Sequence, residues 1–147
     1  VETTEVRPDL VATAVAIVGF ARSLKARLPD APGGTGLALA ELNVLGGIAK
    51  GYDLSSTLSR KLLLDAPRVS HIVEDFVESA YVTREPDPED RRRSRLRLTP
   101  AGQEQLERGR AELACAMQEL LSGLSDEERE GLERAVTGMR RVLGAGS

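Results

Sequence analysis

Five of the chain's 20 basic side chains fall within seven residues: Arg91, Arg92, Arg93, Arg95 and Arg97. A cluster this dense, with Asp90 beside it, suits polyanion binding better than bond-making chemistry. A guanidinium offers forked donors to phosphate but cannot act as a base. A second group of polar side chains, Pro67-Arg68-Val69-Ser70-His71, follows Asp65 at what reads as a helix start. Arg68, Ser70 and His71 there could meet base edges or phosphates. Other chemistry finds little support. His71 is the only histidine and Cys115 the only cysteine, so an intramolecular disulfide, a thiolate zinc cluster and an all-histidine metal site are excluded. Cys115 lies among Leu113, Ala114, Ala116 and Met117 and reads as an inert core thiol. Glu127, Glu128, Glu130 and Glu133 read as an acidic helix start and a solvated face. Gly33 to Gly36 lacks the lysine and spacing of a phosphate loop. No catalytic, metal or cofactor site is expected, and the chain does not read as an enzyme.

The charge is unevenly spread. The whole chain carries −3, with a pI near 5.3. Residues 50–99 nevertheless hold ten basic against nine acidic side chains. Screening limits each charge to a reach of roughly 10 Å, so a basic prominence on an acidic body can still steer a phosphate backbone.

The surrounding elements must position these groups. The 147 residues suit one domain, and with only 3% aromatics the core must be Leu, Val, Ile and Ala, which favours packed helices. Pro8-Asp9 opens a first helix with Leu10, Ala14, Ile17, Ala21, Leu24 and Leu28 on one face. Its Leu10–Phe20 run reads as a core helix rather than a signal peptide or a membrane span, for which ~18 apolar residues are needed. The reading is of a cytoplasmic protein. Residues 29–36 form a loop, and Leu37–Lys50 a second helix with Leu39, Leu42, Leu45 and Ile48 inward and Gly51 at its end. Ser55 and Ser56 offer caps for a short helix, Thr57–Leu62. Asp65 caps the next, with Pro67 in its first turn and Val69, Ile72, Val73, Phe76 and Val77 inward, ending near Ser79. The tight connection makes this pair a helix-turn-helix. Tyr81–Glu85 reads as a strand stopped by Pro86 and Pro88, Asp87–Arg93 as a turn, and Ser94–Leu98 as the returning strand. Thr99-Pro100 starts a long helix, Pro100–Leu121. A Ser125/Glu128 capping box starts the last, Asp126–Leu143. Leu106, Leu113, Met117, Leu120, Leu124, Leu132, Val136, Met139 and Leu143 supply the apolar stripe of these two helices.

With the elements in this order, residues 56–102 (STLSRKLLLDAPRVSHIVEDFVESAYVTREPDPEDRRRSRLRLTPAG) resemble the MarR family of bacterial transcription regulators. The most specific match is Glu85–Gly102: a Pro-Asp-Pro turn, Asp90 and Arg92 two apart, an alternating strand, then Leu-Thr-x-x-Gly. Four residues depart from the family pattern. Leu63 and Ala80 stand where glycine is common, and His71 and Asp75 stand where arginine is common.

The resemblance implies a mainly α winged helix-turn-helix with a small β-hairpin wing and N- and C-terminal dimerisation helices. The chain would divide into residues 1–36, the DNA-binding lobe 37–99 and residues 100–147, as one continuous domain. The recognition helix would present Pro67, Arg68, Ser70 and His71 to a major groove about 12 Å wide. Arg92 would reach the minor groove from the wing, Asp90 would hold the turn or orient Arg92, and Arg91 and Arg93 would flank it on phosphates. Arg95 and Arg97 share one strand face, where they serve phosphates or solvate the strand. A homodimer would set two recognition helices roughly 34 Å apart on a near-palindromic operator of double-stranded DNA. The resemblance further implies repression and a small-molecule effector between the dimerisation helices and the lobe. A different reading stays open on the acidic balance and Asp75: a winged-helix protein-interaction module that has lost DNA binding.

Overall fold

The computed structural model describes residues 8–27 and 34–144. Leu28, and the loop up to residue 33, lie outside the described residues. The chain divides into two compact units, Val1–Asp30 and Ala31–Ser147. In the first, α1 (Pro8–Arg27) is a single helix. The apolar run reads as a core helix, but taken in its own unit its apolar side chains, Leu10, Val15, Val18 and Phe20 among them, stand exposed. An apolar run specifies that a surface must be covered, not that the same chain covers it.

The second unit holds α2 (Leu39–Ala49), α3 (Ser55–Leu62), α4 (Ala66–Glu78), β1 (Val82–Pro86), β2 (Ser94–Leu98), α5 (Pro100–Ser122) and α6 (Asp126–Val142). It is mostly helical, with one antiparallel hairpin in which Val82 pairs with Leu98, Arg84 with Leu96 and Pro86 with Ser94. The core joins every element except α6. Leu42, Val44, Leu45 and Ile48 of α2 meet Leu58 of α3 and Val69, Ile72, Val73 and Phe76 of α4, closed by Val82, Leu96 and Leu106. Val77, expected inward, is partly exposed at the end of α4. Helix α6 buries no side chain, and Leu120, Val136, Met139 and Leu143 of the expected stripe are exposed.

Most helix starts follow local chemistry. Asp65 Oδ1 accepts the Arg68 amide at 2.9 Å, Thr99 Oγ1 accepts the Gly102 amide at 3.0 Å, and Ser125 and Glu128 cap reciprocally. Helix α3 differs from expectation. Its N-cap is Leu54, whose carbonyl accepts the Leu58 amide, so Ser55 is already helical and no side chain caps the end.

Two turns use non-glycine residues in the left-handed region. Leu63, between α3 and α4, has φ 55°, and Ala80, after α4, has φ 59°. At the first, the Leu64 amide donates to the Ser59 carbonyl and the Ser59 hydroxyl donates to the Leu64 carbonyl at 2.6 Å. At the second, Ala80 and Tyr81 amides donate back to Val77 and Phe76 carbonyls, a Schellman closure with the Phe76 and Tyr81 rings edge to face at 6.2 Å. Earlier in the chain, Thr35 anchors residues 34–38 to α5: its amide donates to Glu112 Oε1 at 3.0 Å and its hydroxyl to Oε2 at 2.6 Å. These bonds hold the Glu112 carboxyl below its ordinary value.

Candidate nucleic-acid interface

Helix α4, the second of the helix-turn-helix, has one apolar and one polar face. Val69, Ile72, Val73 and Phe76 are buried, while Pro67, Arg68, Ser70 and His71 are exposed together on the outer side of its first turns. Asp65 fixes where this helix begins, and its free amides add a partial positive charge to the same end. Further along the outer face the charge reverses, with Glu74, Asp75 and Glu78 all exposed. His71 Nε2 lies 3.6 Å from Asp75 Oδ2.

The wing is built from its turn. Asp87 Oδ1 accepts the Glu89 amide at 2.9 Å, and the Asp87 amide donates to the Arg93 carbonyl at 3.0 Å, closing the hairpin. Asp90 Oδ1 accepts the Arg92 amide at 3.0 Å, and its carbonyl accepts the Arg93 amide. Asp90 therefore shapes the tip through the Arg92 backbone and leaves that guanidinium uncommitted.

The five wing arginines are not equivalent. Among the described residues Arg91 and Arg92 have no ion-pair partner, and both are exposed. Arg93 Nε lies 3.5 Å from Asp90 Oδ2, and Arg97 Nε donates to Glu85 Oε2 at 2.6 Å. Arg95, expected among the DNA contacts, is directed into the protein. Its Nη1 is 3.3 Å from Asp53 Oδ2 and its Nη2 is 3.4 Å from Asp87 Oδ1. The Glu89 amide first, then the Arg95 guanidinium, hold the buried Asp87 carboxyl below its ordinary value.

Asp53 and Asp87 are the residues that sequence reasoning missed. Asp87 sat in the Pro-Asp-Pro signal without a role. Nothing local marks Asp53, because its partner is 42 residues away.

The hairpin is seated by its other end. Thr99 donates its amide to the Tyr81 carbonyl at 3.0 Å and its hydroxyl to the Ala80 carbonyl at 2.7 Å. Gly102 lies against the same Tyr81 carbonyl, where a Cβ would collide with the oxygen. This accounts for the Leu-Thr-x-x-Gly spacing. Thr99 caps α5 and clasps the base of the wing, and Gly102 lets α5 come that close. No helix among the described residues is long and apolar enough to cross a membrane.

A helix-turn-helix packed against a two-stranded hairpin, with helices on either side in the sequence, defines a winged helix-turn-helix protein. The transcriptional regulator BldR from Sulfolobus solfataricus has this fold, with a TM-score of 0.75 at 17% identity over 97% of this chain and 99% of that one. A MarR mutant from Escherichia coli, solved in complex with operator DNA, superposes with a TM-score of 0.70 at 20% identity over 89% of this chain and 95% of that one. The MarR family profile matches residues 35–93. YdgJ, an HTH-type transcriptional regulator of Bacillus subtilis, is 31% identical over 110 residues, covering 74% of this chain and 67% of that protein. The chain belongs to the MarR family.

Proposed function

We propose that this protein is a homodimeric transcriptional regulator, acting as a repressor, that binds a near-palindromic site in double-stranded DNA. One observation carries the reading: the exposed first turns of α4, with Arg68, Ser70 and His71, occur in the same compact unit as a wing whose tip bears two uncommitted arginines, Arg91 and Arg92. A groove-reading helix and a cationic tip are the two parts a winged helix brings to a duplex. Pro67 holds the first turn of the helix, and Arg93, tied to Asp90, supports the tip. Two-fold pairing is supported by exposed apolar surface at both ends of the chain, on α1 and on α6, including Val136, Met139, Val142 and Leu143. Effector control is supported by a cavity of about 230 Å3 between α2, α3, α5 and α6, lined by Tyr52 and Leu113 and by the cations Lys50, Lys61, Arg110 and Arg140.

The test is selection of duplex fragments by the purified protein, followed by titration of the selected duplex at rising salt. If each protomer contacts three phosphates, affinity should fall about a thousandfold between 50 and 200 mM salt. Absence of duplex binding at the lowest salt would overturn the reading and leave the protein-interaction module, which the acidic Glu74, Asp75 and Glu78 on the outer face of α4 would favour.

A further inference from the structure

Arg95 ties the wing to the body of its unit. It leaves β2 and turns back toward the body, with its guanidinium between two carboxylates on different parts of the chain. Asp87 stands at the base of the hairpin turn, and Asp53 in the connection between α2 and α3, just ahead of the helix-turn-helix. The same connection also holds the wing through the backbone, since the Asp53 carbonyl accepts the Leu96 amide at 2.7 Å. Asp87 is only 5% exposed, and the Arg95 Nε is buried with no hydrogen-bond partner. Glu89 is a third acid near enough to act on the same guanidinium. The Arg95 site is thus net negative, which repels phosphate, and its forked donors are already turned toward carboxylates.

A two-stranded ribbon has little stability of its own, so its direction depends on what ties it to the body. Its far end is clasped by Thr99 and Gly102, and its middle is tied by Arg95. We infer that Arg95, held by Asp53 and Asp87, is a positioning residue: it sets the angle at which the wing presents Arg91 and Arg92, and it contacts no phosphate itself. This rests on the DNA-binding reading and deepens it.

The two roles predict opposite signs for loss of the acids. If Arg95 were a phosphate contact, Asp53→Asn would remove a competing negative charge and tighten binding. If Arg95 positions the wing, the same change loosens the tie and weakens binding. Wild-type protein is first titrated with its selected duplex; failure there sinks the DNA-binding reading alone. Fluorescence anisotropy is then measured for Asp53→Asn and Arg95→Gln between 50 and 200 mM salt. Both variants should bind about tenfold more weakly. In an Arg91→Ala/Arg92→Ala background the further loss from Arg95→Gln should largely vanish, because a misdirected tip has nothing left to misplace. Tighter binding by Asp53→Asn would overturn the inference. So would an undiminished Arg95→Gln loss in a protein lacking both Arg91 and Arg92. Should Arg95→Gln fail to fold, Asp53→Asn decides alone by its sign, since it keeps the Arg95–Asp87 pair and the Leu96 backbone bond.

Discussion

Replacing Gly102 with alanine sets two effects of opposite sign against each other. Gly102 is in the first turn of α5, where alanine has the better helix propensity by up to about 1 kcal/mol. The added Cβ would overlap the Tyr81 carbonyl oxygen and sit 2.9 Å from the carbonyl carbon and 3.2 Å from Leu98 Cδ2. Ordinary carbon-to-oxygen contacts begin at about 3.3 Å, so α5 must back away from the base of β1 by roughly 1 Å. That movement stretches the bond from the Thr99 amide to the Tyr81 carbonyl and the one from the Thr99 hydroxyl to the Ala80 carbonyl. Losing one or both costs about 1 kcal/mol each, and overpacking adds about 1–3 kcal/mol. After subtracting the propensity gain, Gly102→Ala should destabilise by about 1–4 kcal/mol, a large part of a typical 5–15 kcal/mol. The assay is urea unfolding followed by far-UV circular dichroism at matched protein concentration, which removes mass-action effects of any dimer. With a slope of about 2 kcal/mol/M, the midpoint should fall by about 0.5–2 M. An unchanged or raised midpoint at the same slope would refute the steric argument and show helix propensity to be the larger effect.

Leu63→Gly and Ala80→Gly should act in the opposite direction. A left-handed backbone costs an L-residue about 1–2 kcal/mol, glycine returns about 0.5–1 kcal/mol as chain entropy, and each change should raise stability by about 0.5 kcal/mol. Both are read from the same urea midpoints, and a fall in both would show that neither turn is strained. Asp87 has a carboxyl held below its ordinary value of 3.8, so its contribution to stability is complete above that value and fades as pH drops through the lower folded value. Asp87→Asn should therefore flatten the acid limb of a melting-temperature profile between about pH 5 and pH 2; a limb as steep as wild type would refute it. Arg92→Ala should weaken duplex binding and lower the salt slope by about 2 per dimer, which unchanged anisotropy curves would exclude. Arg68→Ala should relax preference at one base position, and recovery of the wild-type motif in repeat selection would count against base contact by Arg68.

Much of this architecture was legible because its signals are local. Asp65, Thr99 and Ser125 each satisfy an amide three residues on, so the starts of α4, α5 and α6 could be read from type and spacing. The inner face of α4 followed from the helical period, and the hairpin from alternation around a Pro- and Asp-rich turn. Local signals also misled. Ser55 and Ser56 look like caps, yet the backbone of Leu54 begins α3. The departures at Leu63 and Ala80 were visible only as unusual residue types, and their positive φ could be known only once the turns were built.

The sequence by itself determined that this chain has a capped recognition helix and a cationic wing, because caps, period and charge density act over a few residues. Only the tertiary structure sorted the arginines within that wing. It left Arg91 and Arg92 at the tip, drew Arg93 onto Asp90 and Arg97 onto Glu85, and turned Arg95 inward. The physical reason is distance along the chain. Asp53 is 42 residues from Arg95, and Gly102 meets Tyr81 only when α5 crosses the base of the hairpin. No spacing rule reaches that far, so a charge cluster that reads as five equal cations becomes, once folded, a tip, its supports and a tether.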